Sequence, residues 1–376
     1  MAALLFLLSA VFLLYVIFGY PLLLELAARF RSHPVSRGSE LKTVTVLLGV
    51  YNGEEWIGDK LRSVLALDYP REQLQILVLS DGSTDRTADI AREFAPQGVE
   101  LLSLARGGKA AALNAGMRQA RGEILFFTDV RQPLDPGCLK SLVSCLGDPQ
   151  VGAACGHVLF LGDSTGAHMG MYWRYEKWIR NNQTRLGSIQ AGTGCIYVLR
   201  RELALPIPAD ALLDDSYLPL AACLRGYRFI QDQGAIAYEY PTSLDTEFRR
   251  KVRTLAGIYQ IIGFFPALLS PSNKMWIHFA SYKLGRLLLP FALLMLAASS
   301  FGLPPLWSEL ALAGQALFYG LAAVDPWLPA RFPLKRLSSV IHTFVVLMLA
   351  SLCAVSIFFV PPRSLWKETR IGAPPT

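Results

Sequence analysis

The residues best suited to chemistry in this 376-residue chain fall into short polar clusters. They are Tyr51-Asn52-Gly53-Glu54-Glu55, Ser80-Asp81-Gly82-Ser83-Thr84-Asp85, the run from Arg106 to Asn114 that contains Lys109, and Asp129-Val130-Arg131. Carboxylates such as Asp81 suit the hydroxyls of a ribose or the N–H edge of a base. A lysine in the first turn of a helix, beside free backbone N–H groups, suits a diphosphate, so Lys109 is a phosphate candidate. Tyr51 can stack a base or simply pack. Alone, each cluster is weak: Asp81 to Asp85 is also an ordinary turn and helix-start pattern. Gly107-Gly108-Lys109 is no P-loop, because that motif needs glycine at 103 and Ser or Thr at 110, where this chain has Ser103 and Ala110.

The elements between the clusters explain why they could meet. β-Branched and aliphatic runs at 43–49, 73–79, 99–104 and 123–128 read as buried strands, and 54–67, 84–94 and 109–120 carry helical spacing. Strands alternating with helices predict right-handed crossover units and a mostly parallel sheet. Ligands on such sheets bind beyond the carboxyl ends of the strands. The clusters sit there, and together they outline a nucleotide-sized site.

Composition divides the chain. It is 52% hydrophobic and only 17% charged, too apolar for an ordinary soluble protein and far from a disordered one. The surplus lies at the ends: 2–24, 287–308 and 337–362 carry no charge, and 310–324 is a shorter uncharged run. A membrane-crossing helix takes about 20 residues. The first run lacks a preceding Lys or Arg, so a retained anchor fits better than a cleavable signal peptide. The expected organisation is a membrane helix at 1–28, a catalytic domain at 42–255 and an interfacial region at 256–283. Three spans follow at 284–362, the middle one at 306–324, and then a tail at 363–376. The alternative for that middle segment is a re-entrant or interfacial helix. Arg29, Arg31, Arg37 and Lys42 follow the first run, and Arg249 to Arg253, Lys274, Lys283 and Arg286 precede the second. This basic bias predicts a multi-pass protein of the plasma or inner membrane with its middle in the cytoplasm. Arg363, Lys367 and Arg370 in the tail conflict with four crossings and would agree with three. The net charge of +7 gathers beside the apolar runs, so lipid and a phosphorylated substrate explain it better than nucleic acid does. The six cysteines show neither a disulfide framework nor metal-site spacing.

In this order the motifs resemble the family 2 glycosyltransferases, especially the membrane-embedded branch with hyaluronan synthase, cellulose synthase and ceramide glucosyltransferase. The resemblance covers about residues 42–255 plus the leading and trailing apolar runs. It implies an α/β GT-A fold with a mostly parallel, Rossmann-like sheet, and a nucleotide-sugar donor, usually UDP-linked. By the family pattern Tyr51, Asn52 and Asp81 seat the nucleoside, while Lys109 and Asn114 lie near the diphosphate. The family's Asp-x-Asp metal motif falls on Asp129-Val130-Arg131, where only the first carboxylate survives. Asp129 would then hold Mg²⁺ or Mn²⁺ together with diphosphate oxygens. The alternative is that Arg131 itself neutralises the diphosphate.

Further along, 191–201 resembles the glycine-rich acceptor segment, which makes Gly192 and Thr193 acceptor candidates, with Trp173 a possible stacking residue. Leu212-Leu-Asp214-Asp215 falls on the family's acidic pair, so the resemblance makes Asp215 the general base and Asp214 its partner. The rival reading is that the two acids only start a helix. Arg253 matches the arginine of the last cytoplasmic motif, but Thr254 replaces the tryptophan beside it. That replacement puts processivity in doubt. The expectation is an inverting glycosyltransferase that adds single sugars to a lipid-linked or glycan acceptor at the membrane. The alternatives are a processive polysaccharide synthase and a catalytically inactive nucleotide-binding scaffold.

Overall fold

The computed structural model describes residues 1–160, 169–240, 244–329 and 331–365. Its centre is a seven-stranded sheet: β1 (Val44–Val50), β2 (Leu74–Asp81), β3 (Val99–Leu104), β4 (Ile124–Asp129), β5 (Val151–Phe160), β6 (Ile196–Arg200) and β7 (Arg228–Glu239). Their order is β3-β2-β1-β4-β6-β5-β7. The first four are mutually parallel, β5 and β7 are parallel, and β6 runs against both of its neighbours. Alternation within the strands fills a core on each face. Val44, Val46 and Leu48 meet Ile57, Leu61 and Leu142 on one side. Leu47, Leu79 and Phe127 meet Leu113, Tyr197 and Leu199 on the other.

This order creates the site. The chain winds outward from β1 to β3 and returns to β4 on the opposite side of β1, leaving a crevice where the direction reverses. Because β6 is antiparallel, its first residue Ile196 pairs with Thr128 at the end of β4. The segment ahead of β6 is thereby brought to the same sheet edge as Asp129.

Three helices among the described residues are long and apolar enough to cross a membrane: Ala2–Phe30, Trp276–Ser300 and Lys335–Phe358. Leu7 and Phe18 are each 59% exposed, so the first helix turns its side chains outward rather than into a core. The three pack on one another through Leu13, Val16, Leu289, Phe344 and Met348. The second and third run antiparallel, with Ser351 Oγ donating to the Leu287 carbonyl at 3.4 Å.

The apolar segment near 310 forms a helix, Pro305–Val324, with Glu309 and Gln315 on it. Its start follows the turn after Ser300, and Gln315 Nε2 donates to Ser300 Oγ at 2.9 Å. Beyond its far end Asp325 pairs with Lys335 at 3.0 Å, at the beginning of the next helix. Both ends therefore lie at the end of the bundle remote from the sheet. The expected boundary at 256 falls inside a continuous helix, Leu244–Phe264, since no glycine or proline breaks the run from basic to apolar residues before Gly257.

Gly122, just ahead of β4, lies against the β1 backbone; a Cβ there would stand 2.5 Å from Thr45 N. Gly122→Ala should therefore destabilise the protein by about 1–3 kcal/mol. A lowered melting temperature of the detergent-solubilised protein checks this, with Gly314→Ala, where nothing lies within 4 Å, as a control that should not lower it.

Candidate active site

The crevice opens into a cavity of about 1270 Å³ that reaches from the sheet edge to the apolar helices. Tyr51, Asn52, Lys109, Asp129, Arg131, Gly192, Thr193, Asp214, Asp215 and Arg253 all line it. Ten of the expected site residues, drawn from segments spread over two hundred positions, thus share one chamber.

At its centre is the Lys109 ammonium, 3.0 Å from Asp129 Oδ1 and 3.2 Å from Asp214 Oδ1. Lys109 opens the helix Lys109–Gln119, Asp129 ends β4 and Asp214 opens the helix Asp214–Leu224. Burial opposes the ammonium charge, but Asp129, Asp214 and Asp215 outweigh it and raise the Lys109 pKa. Burial likewise would raise the Asp129 carboxyl, and the Lys109 charge overcomes this to hold it below its usual range.

Asp215 behaves differently. Burial first, then the adjacent Asp214 carboxylate, push its pKa up to about 6, against the pull of Lys109 and Arg253. A carboxylate poised there can accept a proton near neutral pH. It is packed from behind by glycine: a Cβ on Gly194 would lie 3.0 Å from Asp215 Oδ2, and one on Gly192 2.8 Å from the Asp215 carbonyl. The rival reading of the acids as mere helix starters loses ground, since the N-cap is Leu213 and no side-chain cap bond forms.

The nucleoside candidates are less open. Asp81 accepts from Gly107 N at 2.7 Å and Gly108 N at 2.9 Å, and it pairs with Arg106. The Arg106 guanidinium lies 3.6 Å from the Tyr51 ring centre. Arg106 thus bridges the two residues expected to seat a nucleoside. Asn52 adopts φ +46°, and its Oδ1 accepts from Thr84 N at 2.9 Å, so its side chain ties the first two strand-end loops together. Asn114 is turned away from the chamber: its amide exchanges two 2.8 Å hydrogen bonds with the Ile207 backbone. Its place in the structure is that of a brace for the helix carrying Lys109. The side chain of Trp173 lies outside the described residues.

Two contributors, Lys60 and Gln132, escaped the sequence reading. Lys60, fully buried beneath β4, donates to Thr128 Oγ1 at 2.7 Å and the Gln132 carbonyl at 2.5 Å. Burial pushes its pKa down to about 8. Its spacing against Ile57, Leu61 and Val64 put it on the apolar helix face, which was the available signal. Arg250 stands 3.6 Å from the buried Glu239, whose other oxygen accepts from Gln132 Nε2 at 2.8 Å. This chain of contacts fixes the basic helix 244–264 against the turn that carries Arg131.

Among the described residues no group of three His, Cys, Asp or Glu side chains could hold a metal ion. Asp129 is the fitting carboxylate: it faces the cavity and engages Lys109 through Oδ1 alone. A divalent ion here would need further oxygens from a substrate.

The family model for glycosyl transferase family 2 matches residues 45–205. Curated relatives include the poly-beta-1,6-N-acetyl-D-glucosamine synthase of Staphylococcus aureus (strain COL), 25% identical over 267 residues, which are 67% of this chain and 64% of that protein. The enzyme of the same name from Staphylococcus epidermidis is 23% identical over 254 residues, covering 64% and 61%. The chain thus spans less than two thirds of the length of these relatives. Among solved structures, the mannosyltransferase PcManGT from Pyrobaculum calidifontis, in complex with GDP-Man and Mn²⁺, matches with a TM-score of 0.72. The match covers 94% of this chain and 99% of that one at 23% identity, and it shows a common fold. Residues 45–205 thus match the glycosyl transferase family 2 model, and the sheet and the clustered acids agree with the fold shared with the mannosyltransferase.

Proposed function

We propose that the protein moves one sugar, with inversion, from a nucleotide-activated donor, UDP-linked in the first instance, to a lipid-linked or glycan acceptor at the membrane. The observation that carries this reading is Asp215: a half-buried carboxylate with a raised pKa, lining a chamber that Lys109, Arg131 and Arg253 also line. The acceptor hydroxyl oxygen attacks the anomeric carbon while its proton passes to Asp215. The bond from that carbon to the diphosphate breaks, and its electron pair leaves with the nucleoside diphosphate. Lys109, Arg131 and Arg253 stabilise that charge. Asp214, held by Lys109, keeps the acidic turn in place. The nucleoside enters against Tyr51 and Asp81 as Arg106 swings off the ring. Mg²⁺ or Mn²⁺, held by Asp129, would supply further neutralisation of the diphosphate; the mannosyltransferase of like fold carries Mn²⁺.

In the membrane we place the sheet on the cytoplasmic side with three crossings, Pro305–Val324 remaining at the far face. This puts the basic tail on the same side as the sheet, while Arg331, Lys335 and Arg336 lie at the opposite face. A processive synthase is the second reading, favoured by the names of the staphylococcal relatives. Thr254, whose hydroxyl bonds back to the Arg250 carbonyl at 2.8 Å, offers no ring on which to hold a growing chain.

Membranes carrying the protein, incubated with a panel of labelled nucleotide sugars, should yield acceptors extended by one sugar; long polymer would establish the second reading, and no transfer from any donor would refute both. Asp215→Asn should keep nucleotide affinity within about twofold while turnover drops at least about 100-fold. Substantial residual transfer by the purified variant would remove Asp215 from its role. The pH dependence follows from the raised pKa. The base works only when deprotonated, so kcat/KM should fall about tenfold per pH unit below about pH 6, whereas an ordinary carboxylate would stay active down to about pH 4.

A further inference from the structure

The transfer step gives no task to Lys60. This residue lies on the helix Glu54–Leu65, on the face that buries Ile57, Leu61 and Val64, and is itself 1% exposed. Both bonds of its ammonium go to uncharged acceptors, Thr128 Oγ1 and the Gln132 carbonyl. Taking an ammonium out of water is costly, and two uncharged acceptors return only part of that cost. A methionine has a similar reach and would fill the space without it. Packing therefore does not explain a lysine at this position.

The two bonds bracket the turn that faces the chamber. Thr128 immediately precedes Asp129 and Gln132 immediately follows Arg131, so Lys60 closes the base of the 129–131 turn from below. An ammonium only donates. The Thr128 hydroxyl therefore accepts from Lys60 and spends its own proton on the Cys195 carbonyl, at 2.8 Å. Cys195 lies next to Gly194, the glycine on which Asp215 packs, with Oδ2 3.0 Å from where a Cβ would stand. The chain of bonds from Lys60 through Thr128 to Cys195 thus fastens the turn of Asp129 and Arg131 to the segment behind Asp215.

We propose that Lys60 is a positioning residue for sugar transfer: acting through Thr128, it sets the spacing between Asp129 and Arg131 on the donor side and Asp215 on the acceptor side. The inference rests on the glycosyl-transfer reading and deepens it. Lys60 touches no substrate and moves no proton. The nucleoside end of the chamber is held by other contacts, Asn52 to Thr84 and Asp81 to the glycines ahead of Lys109. Nucleotide binding should therefore survive the loss of Lys60, while turnover, which needs both sides in register, should not.

The test is a double-mutant cycle on the full chain in membranes, with transfer measured per folded protein at saturating labelled donor and affinity read with UDP or GDP, whichever the wild type binds. Lys60→Met should lower kcat about 30-fold while nucleotide affinity stays within about threefold. Thr128→Val, which keeps the shape and removes the hydroxyl, should lower kcat about tenfold, and Thr128→Ser, which keeps the hydroxyl, should recover most of that loss. Because the two residues act in one chain, the double variant Lys60→Met/Thr128→Val should be no slower than Lys60→Met to within about threefold. A folded Lys60→Met with near wild-type turnover overturns the proposal, as does nucleotide binding lost in step with turnover. Losses that multiply in the double variant, or a Thr128→Ser no better than Thr128→Val, overturn it too. If Lys60→Met does not fold, the two Thr128 variants decide by themselves. Failure of the glycosyl-transfer reading would show separately, as a wild type that transfers sugar from no donor.

Discussion

One ammonium organises the chamber. Lys109 stands between Asp129 and Asp214, and those three residues come from a helix start, a strand end and a second helix start far apart in the chain. Two carboxylates and a third beside them, crowded into one chamber, would repel one another without a cation between them. With it, Asp129 remains ionised, while burial and then the adjacent Asp214 make Asp215 the group whose pKa climbs to about 6. A single charge placement thus divides the acids into one held ionised and one whose carboxyl is raised toward neutrality.

The fold supplies that placement through one antiparallel strand. The parallel half of the sheet delivers Tyr51 and Asp129 to its carboxyl edge, as any doubly wound sheet does. Only because β6 runs the other way does the Gly192–Gly194 segment arrive at the same edge, where missing side chains let the Asp215 turn approach closely. The apolar helices then serve as more than an anchor. Residues of two of them form part of the chamber's lining, so the site is built against these helices rather than merely tethered to them.

The parallel half was legible in the sequence because its strands are rich in Val, Ile and Leu between clear turn signals; β3 begins and ends where the pattern placed it, at Val99–Leu104. The second half was not. β5 opens Val-Gly-Ala-Ala-Cys-Gly, small residues with little strand signal, and β7 carries Gln231-Asp232-Gln233 inside it. Motif order located most of the chamber, yet it could not show that Asn114 spends its amide on Ile207 or that Arg106 covers Tyr51. Those are contacts between distant segments, invisible to spacing. The helix near 310 shows the same limit: its length suited a span, but it is not among the three helices long and apolar enough to cross a membrane, and Asp325 beyond its end pairs with Lys335.

The proposed transfer is a single displacement at the anomeric carbon, with Asp215 receiving the acceptor's proton. The anomeric configuration of the product, read by NMR from a donor of known linkage, tests it most directly. An α-linked nucleotide sugar should give a β-linked product. An α-linked product would require two displacements through a covalent intermediate or a front-face path, and would contradict the account.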